Sequence, residues 1–152
     1  MKIRTLFLVG LICLTVMGMV QAQFVSADEL VEIETNLSVD FVHPGSSFQA
    51  AVIANLQPTW HVNAHQPTLE YLIPTELTLE SVDGLTLGET RYPESIRLKF
   101  EFAKEELDVY EGRVIMRFPV SVSPDASGER VIQGSFRYQA CNNEICLAPT
   151  RK

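Results

Sequence analysis

Apolar and polar residues alternate with a period of two along much of the chain. In the first clear example, apolar side chains occupy every second position apart from Thr35, and they are Val31, Ile33, Leu37, Val39 and Phe41. A period of two is typical of a β-strand that buries one face and exposes the other. We therefore predict that a half-buried strand begins the folded part of the chain.

Further strand-like segments follow, separated by turns rich in glycine, proline and small polar residues. They are 48–56, 59–67 (running into a loop at Pro67), 75–82, 85–93, 109–122 and 130–141. Residues 43–47 and 123–129 are predicted turns, and Asp83-Gly84 predicts a tight connection between two short strands. Many short strands, few helix signals and a length suited to one core indicate an all-β antiparallel sandwich.

Residues 93–107 interrupt this alternation. The segment is charged, contains Phe100 and Phe102, and fits neither the strand period nor the helix period. We predict a long irregular loop or one short helical turn here. Loops of this length inside compact domains are usually functional or mobile.

Residues 1–22 have the layout of a secretory signal peptide. A positively charged start precedes an uncharged run over residues 6–20, and small residues stand where a signal peptidase would cleave before Gln23. The alternative is a retained membrane anchor, but the run is about 15 residues and spanning a bilayer takes roughly 20. We therefore expect an exported protein, periplasmic or secreted, whose mature chain is a single domain over residues 23–152.

The net charge and the cysteine content narrow the possible functions. Removing Lys2 and Arg4 with the signal peptide takes the formal net charge from −7 to −9. Such an acidic domain is a poor candidate for binding nucleic acid or an anionic membrane, and we expect no stable membrane insertion after cleavage. Cys13 would leave with the signal peptide, so Cys141 and Cys146 remain, in a compartment where disulfides form.

Alternation in the last predicted strand places Cys141 at the strand end, on the polar side that we expect to face solvent. Residues 142–145 then form a four-residue loop, in which asparagine tolerates the left-handed backbone of tight turns. Cys146 would return opposite Cys141. Facing residues in a ladder have Cα atoms about 4.5–5.5 Å apart, within the range of about 4.4–6.8 Å that disulfides require, so the pair can close.

The residues alone leave three interpretations of this pair open. As a structural staple, a disulfide around a six-residue loop contributes only about 2 kcal/mol. As a redox pair, an exposed bond across a tight hairpin is accessible to thiolates, and the second cysteine can resolve a mixed disulfide. As a metal site, the cysteines would join His61 and His65, although the spacing is not compact. No phosphate-binding loop or catalytic triad stands out, and we expect no cofactor and no metal.

Two other groups of residues have both a functional and a structural interpretation. Trp60, His61, Asn63 and His65 could form a wall beside the cysteines, or Trp60 could fill the core while the histidines cap a loop; the second interpretation is favoured. Four carboxylates could include a base for the cysteines but are better explained as a solvated loop: Glu94, Glu101, Glu105 and Glu106. We expect Tyr138 to pack in the core.

Two segments resemble a known family. Residues 138–150, YQACNNEICLAPT, resemble the end of the N-terminal periplasmic domain of the thiol:disulfide interchange protein DsbD and of its stand-alone relatives. Residues 58–67, PTWHVNAHQP, are similar to the family's W-H-(V/I)-N-(A/S) segment. The resemblance covers roughly residues 28–149. It implies an immunoglobulin-like β-sandwich whose two cysteines cycle between dithiol and disulfide.

The resemblance also implies partners and roles. In the family, electrons arrive from a thioredoxin-like or membrane thiol–disulfide donor and leave to periplasmic disulfide isomerases or cytochrome c maturation proteins. Cys146 would form the mixed disulfide and Cys141 would resolve it. A loop that shields the pair would fall within residues 93–104, with Phe100 or Phe102 as the shield.

The chain departs from the family pattern in two respects. It has no membrane domain or thioredoxin-like domain, so its electron donor would be another polypeptide. It also ends at Lys152, six residues after Cys146, where the family runs on through a further strand. We predict a protein-disulfide reductase type of activity that depends on a separate donor. The alternative is a non-catalytic secreted β-sandwich binding module in which the disulfide is structural.

Overall fold

A computed structural model describes residues 25–152 of the chain as an immunoglobulin-like antiparallel β-sandwich. The predicted signal peptide lies outside the described residues. A 3-10 turn, Ala27–Leu30, leads into the strands. The strands are β1 (Val31–Leu37), β2 (Ser47–Leu56), β3 (His61–Asn63), β4 (Glu76–Leu79), β5 (Leu85–Leu87), β6 (Ile96–Lys99), β7 (Glu106–Glu111), β8 (Arg113–Val122), β9 (Gly134–Tyr138), β10 (Ala140–Cys141) and β11 (Thr150–Arg151).

The strands form three antiparallel sheets. The front sheet has the order β1-β2-β8-β5, the cysteine sheet β10-β3-β7-β6 and the back sheet β11-β9-β4. One continuous core joins side chains of all three sheets, so the front sheet forms one layer, and the cysteine and back sheets together form the other. The sequence prediction of an all-β antiparallel sandwich is confirmed.

The centre of the core comes from the two longest strands. Along β8, every second residue from Val114 to Val122 is buried, and β2 alternates in the same way over its first half. Their register sets Ala50 opposite Phe118 and Val52 opposite Met116. Full burial of a side chain as large as valine or phenylalanine contributes about 1.5–3 kcal/mol, so this pair of strands anchors the sandwich.

The first predicted strand is correct as far as Leu37. The predicted buried face ends earlier, at half-buried Ile33, because Leu37 is 55% exposed, and Val39 and Phe41, beyond the strand, are 38% and 81% exposed. The chain leaves the sheet at Ser38 and turns back at Gly45, whose positive φ of 74° glycine adopts without strain.

Three predicted segments divide between the layers. Segment 109–122 breaks at Gly112, which has φ 62°, into β7 of the cysteine sheet and β8 of the front sheet. Segment 130–141 begins only at residue 134, and its two strands lie in the back and cysteine sheets. The Asp83-Gly84 connection joins β4 of the back sheet to β5 of the front sheet, so the two do not form a hairpin.

The prediction of an irregular loop or helical turn over residues 93–107 is wrong. Residues 96–99 form β6, which pairs with β7 so that Ile96 faces Val109 and Lys99 faces Glu106. This edge strand is mostly exposed, and so it lacks the apolar alternation that marks a half-buried strand. Residues 100–105 alone form the loop of this β6–β7 hairpin.

A short strand does follow the second cysteine. In β11, Thr150 pairs with Tyr138 of β9, and the Lys152 and Phe136 main chains exchange hydrogen bonds of 2.9 and 2.8 Å. Within residues 25–152, no helix has the length and apolar character needed to cross a membrane.

Candidate functional site

The two cysteines face each other across a four-residue hairpin loop. Cys141 ends β10, and its neighbours in the ladder are His61 of β3 on one side and Cys146 on the other. The sulfur atoms are bonded at 2.04 Å, with the Cα atoms 4.0 Å apart. The predicted position of Cys146 opposite Cys141 is confirmed.

Asn142 determines the shape of the loop through its side chain. Its Oδ1 accepts hydrogen bonds from the main-chain N–H groups of Glu144 (2.8 Å) and Ile145 (2.9 Å), while its own N–H donates to the Ile145 carbonyl. The expected left-handed backbone at the asparagines is wrong: over residues 25–152, Thr59 is the one non-glycine residue with positive φ. The side chain closes the turn instead, as asparagine commonly does.

The two cysteines differ in their access to solvent. Cys146 is exposed, whereas Cys141 is only 2% exposed. The prediction that Cys141 faces solvent is therefore wrong, although the alternation behind it is right: Phe136, Tyr138 and Ala140 do face the core. The face of β10 that carries Cys141 is also covered. A position on the polar side of this strand is therefore not necessarily exposed.

The cover on that face is aromatic. His61, 2% exposed, stacks on Phe100 with ring centroids 4.1 Å apart, and Phe100 stacks on Phe102 at 5.4 Å. Phe100 is buried, while Phe102 is 47% exposed. The first residues of the β6–β7 hairpin loop thus cover the histidine that neighbours Cys141.

A small hydrophobic cluster, separate from the main core, holds Phe100 in place. Its buried members are Phe100, Leu107 and Val109, and half-buried Leu69, Leu72, Leu98 and Ala103 pack around them. The Lys99 ammonium group also donates to the main-chain oxygens of Ala103 and Lys104, which ties the loop to its own strand. The contacts that hold the loop between β6 and β7 therefore lie outside the main core.

Burial lowers the pKa of His61 from 6.5 to about 4. The imidazole is consequently neutral at neutral pH, because removing a charged ring from water is costly. Its neighbour in β7, Glu111, has an exposed side chain. His61 therefore gives Cys141 a dry, uncharged neighbour and supplies no positive charge to stabilise a thiolate.

The other residues of the 60–65 cluster serve the fold. Trp60 is half-buried against the main core, and the Asn63 amide donates to the Ile73 carbonyl at 2.9 Å. His65 Nδ1 lies 3.0 Å from the Thr75 carbonyl oxygen, and its ring stacks on a tyrosine. The favoured structural interpretation is confirmed for Trp60 and His65, whereas His61 lies in a strand beside the cysteine.

The remaining candidates are also located. The four loop carboxylates are all exposed: Glu94, Glu101, Glu105 and Glu106. Tyr138 is fully buried, as predicted; its hydroxyl donates to the Ala27 carbonyl at 2.8 Å, and burial raises its pKa to about 12. In the part of the chain that the structure describes, no three His, Cys, Asp or Glu side chains are grouped so as to hold a metal ion.

Sequence reasoning missed the burial of Cys141 and the cover provided by Phe100. No local sequence pattern indicated either feature. Only the structure shows that β3 is buried at all three positions, His61, Val62 and Asn63, and so is covered on both faces.

Comparison with known proteins gives a consistent result. The sequence profile of the family described as "Thiol:disulfide interchange protein DsbD, N-terminal" matches residues 27–152. None of the curated protein sequences compared with the chain matches it.

Two solved structures share the fold. The chain is similar to the reduced N-terminal domain of Neisseria meningitidis DsbD, with a TM-score of 0.51, 16% identity and 84% of each chain covered. It is also similar to the N-terminal periplasmic domain of ScsB from Proteus mirabilis, with a TM-score of 0.55 and 15% identity, over 85% of this chain and 47% of that one. The chain thus spans about half the length of the ScsB domain.

Proposed function

This chain belongs to the family of DsbD N-terminal domains, and from that premise we propose that it passes reducing equivalents through Cys141 and Cys146 to disulfides of partner proteins. Family membership and the Cys141–Cys146 bond together support a thiol–disulfide exchange domain. Direction of transfer, donor and acceptor are the parts that we propose.

The unequal exposure of the two cysteine residues is the observation that carries the proposal. A staple gains nothing from presenting one sulfur to solvent and burying the other. Exchange requires an attacking thiolate to reach one sulfur, and a second cysteine held close enough to displace the partner. Exposed Cys146 suits the first role and buried Cys141 the second.

The reaction then runs in two steps. The Cys146 thiolate attacks one sulfur of the partner disulfide, forming a mixed disulfide and releasing the partner's other sulfur as a thiolate. The Cys141 thiolate attacks the Cys146 sulfur, closing the intradomain disulfide and releasing the partner's second thiolate. Two electrons pass to the partner, both of its sulfurs take up protons from solvent, and both protons of the domain's dithiol are lost.

Phe100 and Phe102 supply the shield in this proposal. Phe100 covers His61, the neighbour of Cys141, and Phe102 stacks on its outer side. Exposed Ile145 lies next to Cys146, so a partner that docks there meets apolar surface from two loops. We propose that Phe100 keeps the side of Cys141 covered while the partner's sulfur reaches exposed Cys146.

Family membership also supports a compartment, an electron donor and an electron acceptor. The domain, residues 23–152, would act in the periplasm or outside the cell after removal of a signal peptide. A thioredoxin-like protein or a membrane thiol–disulfide protein would reduce it. A periplasmic disulfide isomerase or a cytochrome c maturation protein would accept the electrons. Cytochrome c biogenesis is thus one pathway in which it would serve.

The first test is the reduction potential of the cysteine pair. The protein would be equilibrated in glutathione and dithiothreitol buffers and its free thiols counted. We expect a value between those of thioredoxin and the strongly oxidising DsbA, about −270 to −120 mV. A value well below about −300 mV would identify a structural bond and favour a non-catalytic binding module.

The second test separates the roles of the two cysteines. Cys141→Ser and Cys146→Ser variants would each be mixed with oxidised glutathione, and formation of the glutathione adduct followed by mass spectrometry. We expect adduct formation at Cys146, in the Cys141→Ser variant, to be at least tenfold faster than at Cys141. Equal rates in the two variants would contradict the assigned roles.

A further inference from the structure

A cavity of about 780 Å³ lies between the front and back sheets, away from the cysteines. Its walls include residues of β1, β2 and β8 on one side and of β4 and β9 on the other. Neither cysteine lines the cavity, and the lining residues nearest to them in sequence are Phe136, five residues before Cys141, and Lys152, six residues after Cys146. The cavity and the disulfide therefore share no residue.

The cavity is suited to an apolar occupant. Its size falls within the roughly 300–1,000 Å³ of small-molecule sites. Apolar side chains from both sheets form most of the wall, among them Ile33, Phe48, Val52, Leu77, Leu79 and Phe136. A hydrocarbon chain bound there would displace water from these apolar walls and gain contacts with them, which favours an apolar ligand.

Some apolar residues of the lining are also exposed. Leu37 and Val42 line the cavity and are 55% and 43% exposed. Val131, 65% exposed, precedes the lining residue Ile132. Exposed apolar surface of this kind often marks a binding site.

The walls of the cavity favour a hydrocarbon occupant over a peptide. Main-chain groups that face the neighbouring strand in the β1–β2, β2–β8 and β4–β9 ladders are already used, although β1 and β4 are edge strands. The amide groups of a buried peptide would find few partners among apolar side chains, and an unpaired buried amide costs free energy. A hydrocarbon chain carries no such groups.

A positive charge lies at the opening. The Arg130 guanidinium donates to the main-chain oxygens of Asp83 (3.1 Å) and Glu129 (3.0 Å), and it forms no ion pair with a carboxylate of residues 25–152. Lys152 also lines the cavity but is paired with Asp28 at 3.6 Å. The other titratable lining residues are His43 and Glu129. Arginine therefore offers a carboxylate an uncompensated partner.

We propose that this cavity binds a single-chain fatty acid, with the hydrocarbon chain between the two sheets and the carboxylate at Arg130. The acidic net charge of the protein opposes binding to an anionic bilayer. A single amphiphile meets the local charges of the lining, in which Glu129 is the carboxylate and Arg130 is the cation that forms no ion pair within residues 25–152. This binding is independent of the thiol–disulfide exchange, because the cavity and the cysteines share no residue.

Calorimetric titration of the purified exported protein with dodecanoate, below the concentration at which it aggregates, tests the proposal. We expect saturable binding of one molecule per chain. Dodecanol, which has the same chain without the charge, should bind at least fivefold more weakly. Absence of saturable binding by dodecanoate would overturn the proposal, and equal affinity for the two probes would overturn the assignment of the carboxylate.

Two arginine variants test the contact with the carboxylate of the ligand. Arg130→Gln should weaken dodecanoate binding at least fivefold and leave dodecanol binding unchanged. Arg113→Gln removes an exposed arginine of β8 that pairs with Glu34 outside the cavity, and it should change neither affinity. An equal loss of dodecanoate affinity in both arginine variants would contradict a specific head-group contact.

Filling the cavity should abolish binding of either probe. Ala50 is a lining residue of β2, and Ala50→Phe places a ring in the cavity. Ile132→Trp does the same from the loop before β9, where the fold is less sensitive to substitution. At least a tenfold loss of affinity is expected in each variant that unfolds cooperatively on heating. Unchanged affinity in a folded variant would place the ligand elsewhere.

Discussion

Cys141 and Cys146 belong to one disulfide but lie in different environments. Cys146 stands at the end of an exposed loop, whereas Cys141 is enclosed by the β-ladder and by neutral His61 under Phe100. Burial in uncharged surroundings disfavours a thiolate, and thiolate character governs cysteine reactivity. In the proposed mechanism this difference selects which sulfur meets the partner, and it keeps the other in reserve for the second step.

His61 should make stability depend on pH. Its pKa is about 4 in the folded protein and 6.5 when exposed, so between these values the unfolded chain binds more protons. Stability should therefore be unaffected by this residue above pH 6.5 and fall as the pH drops from 6.5 to 4, by about 3 kcal/mol at most. Urea unfolding at several pH values would measure this loss.

A matched pair of variants isolates the contribution of His61. His61→Gln should flatten the pH dependence between 4 and 6.5, while His43→Gln, at an exposed histidine, should leave it as in the wild type. The same slope in all three proteins would show that His61 is not the titrating group.

Phe100→Ala should expose His61 and, beside it, Cys141 of the disulfide. Truncation removes the ring that stacks on His61 and weakens the small hydrophobic cluster that holds the β6–β7 hairpin loop. We expect reduction by dithiothreitol to be at least threefold faster than in the wild type. Phe102→Ala, at a side chain that is 47% exposed, serves as the control and should have a smaller effect. Equal rates in the wild type and Phe100→Ala would contradict the shielding role.

The strands divide between two layers at positions where the backbone can turn sharply. Gly112 joins β7 to β8, and Gly84 lies in the connection from β4 to β5; both have positive φ. Each connection moves the chain from one layer to the other, so apolar runs that are continuous in sequence serve different sheets. Because β8 crosses to the front sheet after Gly112, β7 does not pair with β8. It pairs with β6 and β3 in the cysteine sheet.

Gly112→Ala should destabilise the protein by about 1–2 kcal/mol. A side chain at φ 62° incurs the penalty of the left-handed region, while nothing lies within 4 Å of the added Cβ atom, so the cost is conformational and not steric. Asparagine tolerates this region, so Gly112→Asn should lose less. A urea midpoint for the alanine variant at or above that of the asparagine variant would refute this account.

The molecule as a whole carries two features that share no residue, the disulfide in the cysteine sheet and the cavity between the front and back sheets. The main core joins all three sheets, contributes several residues to the cavity wall and does not include the cysteines. The fold should therefore persist when the disulfide is reduced, which a redox cycle requires.

Loss of the disulfide should cost about 2 kcal/mol of unfolding free energy, the value expected for a six-residue loop. Urea unfolding would compare the oxidised protein, the reduced protein and the Cys141→Ala/Cys146→Ala double variant. We expect all three to unfold cooperatively, with the last two destabilised to a similar extent. A reduced protein that is unfolded without urea would support the structural-staple interpretation.

Much of the site was predictable from local pattern. The spacing of Cys141 and Cys146 around a polar loop was sufficient to predict that they face each other, since a hairpin is a local structure. Family resemblance implied the immunoglobulin-like sandwich, which is confirmed, and the roles of the two cysteines, which stay a prediction. By contrast, the strand β6 was missed because its side chains are mostly exposed, and an exposed edge strand leaves little apolar alternation in the sequence.

By itself, the sequence determined the all-β class, the faces of the long strands and the position of the cysteine hairpin, because each depends on residues close together in the chain. The burial of Cys141, the neutral state of His61 and the cavity depend on Phe100, β3 and the back sheet, which lie far from one another in sequence. The three-dimensional packing alone brought them together. Alternation states which residues share a face of a strand, but what covers that face depends on long-range contacts that no local pattern encodes.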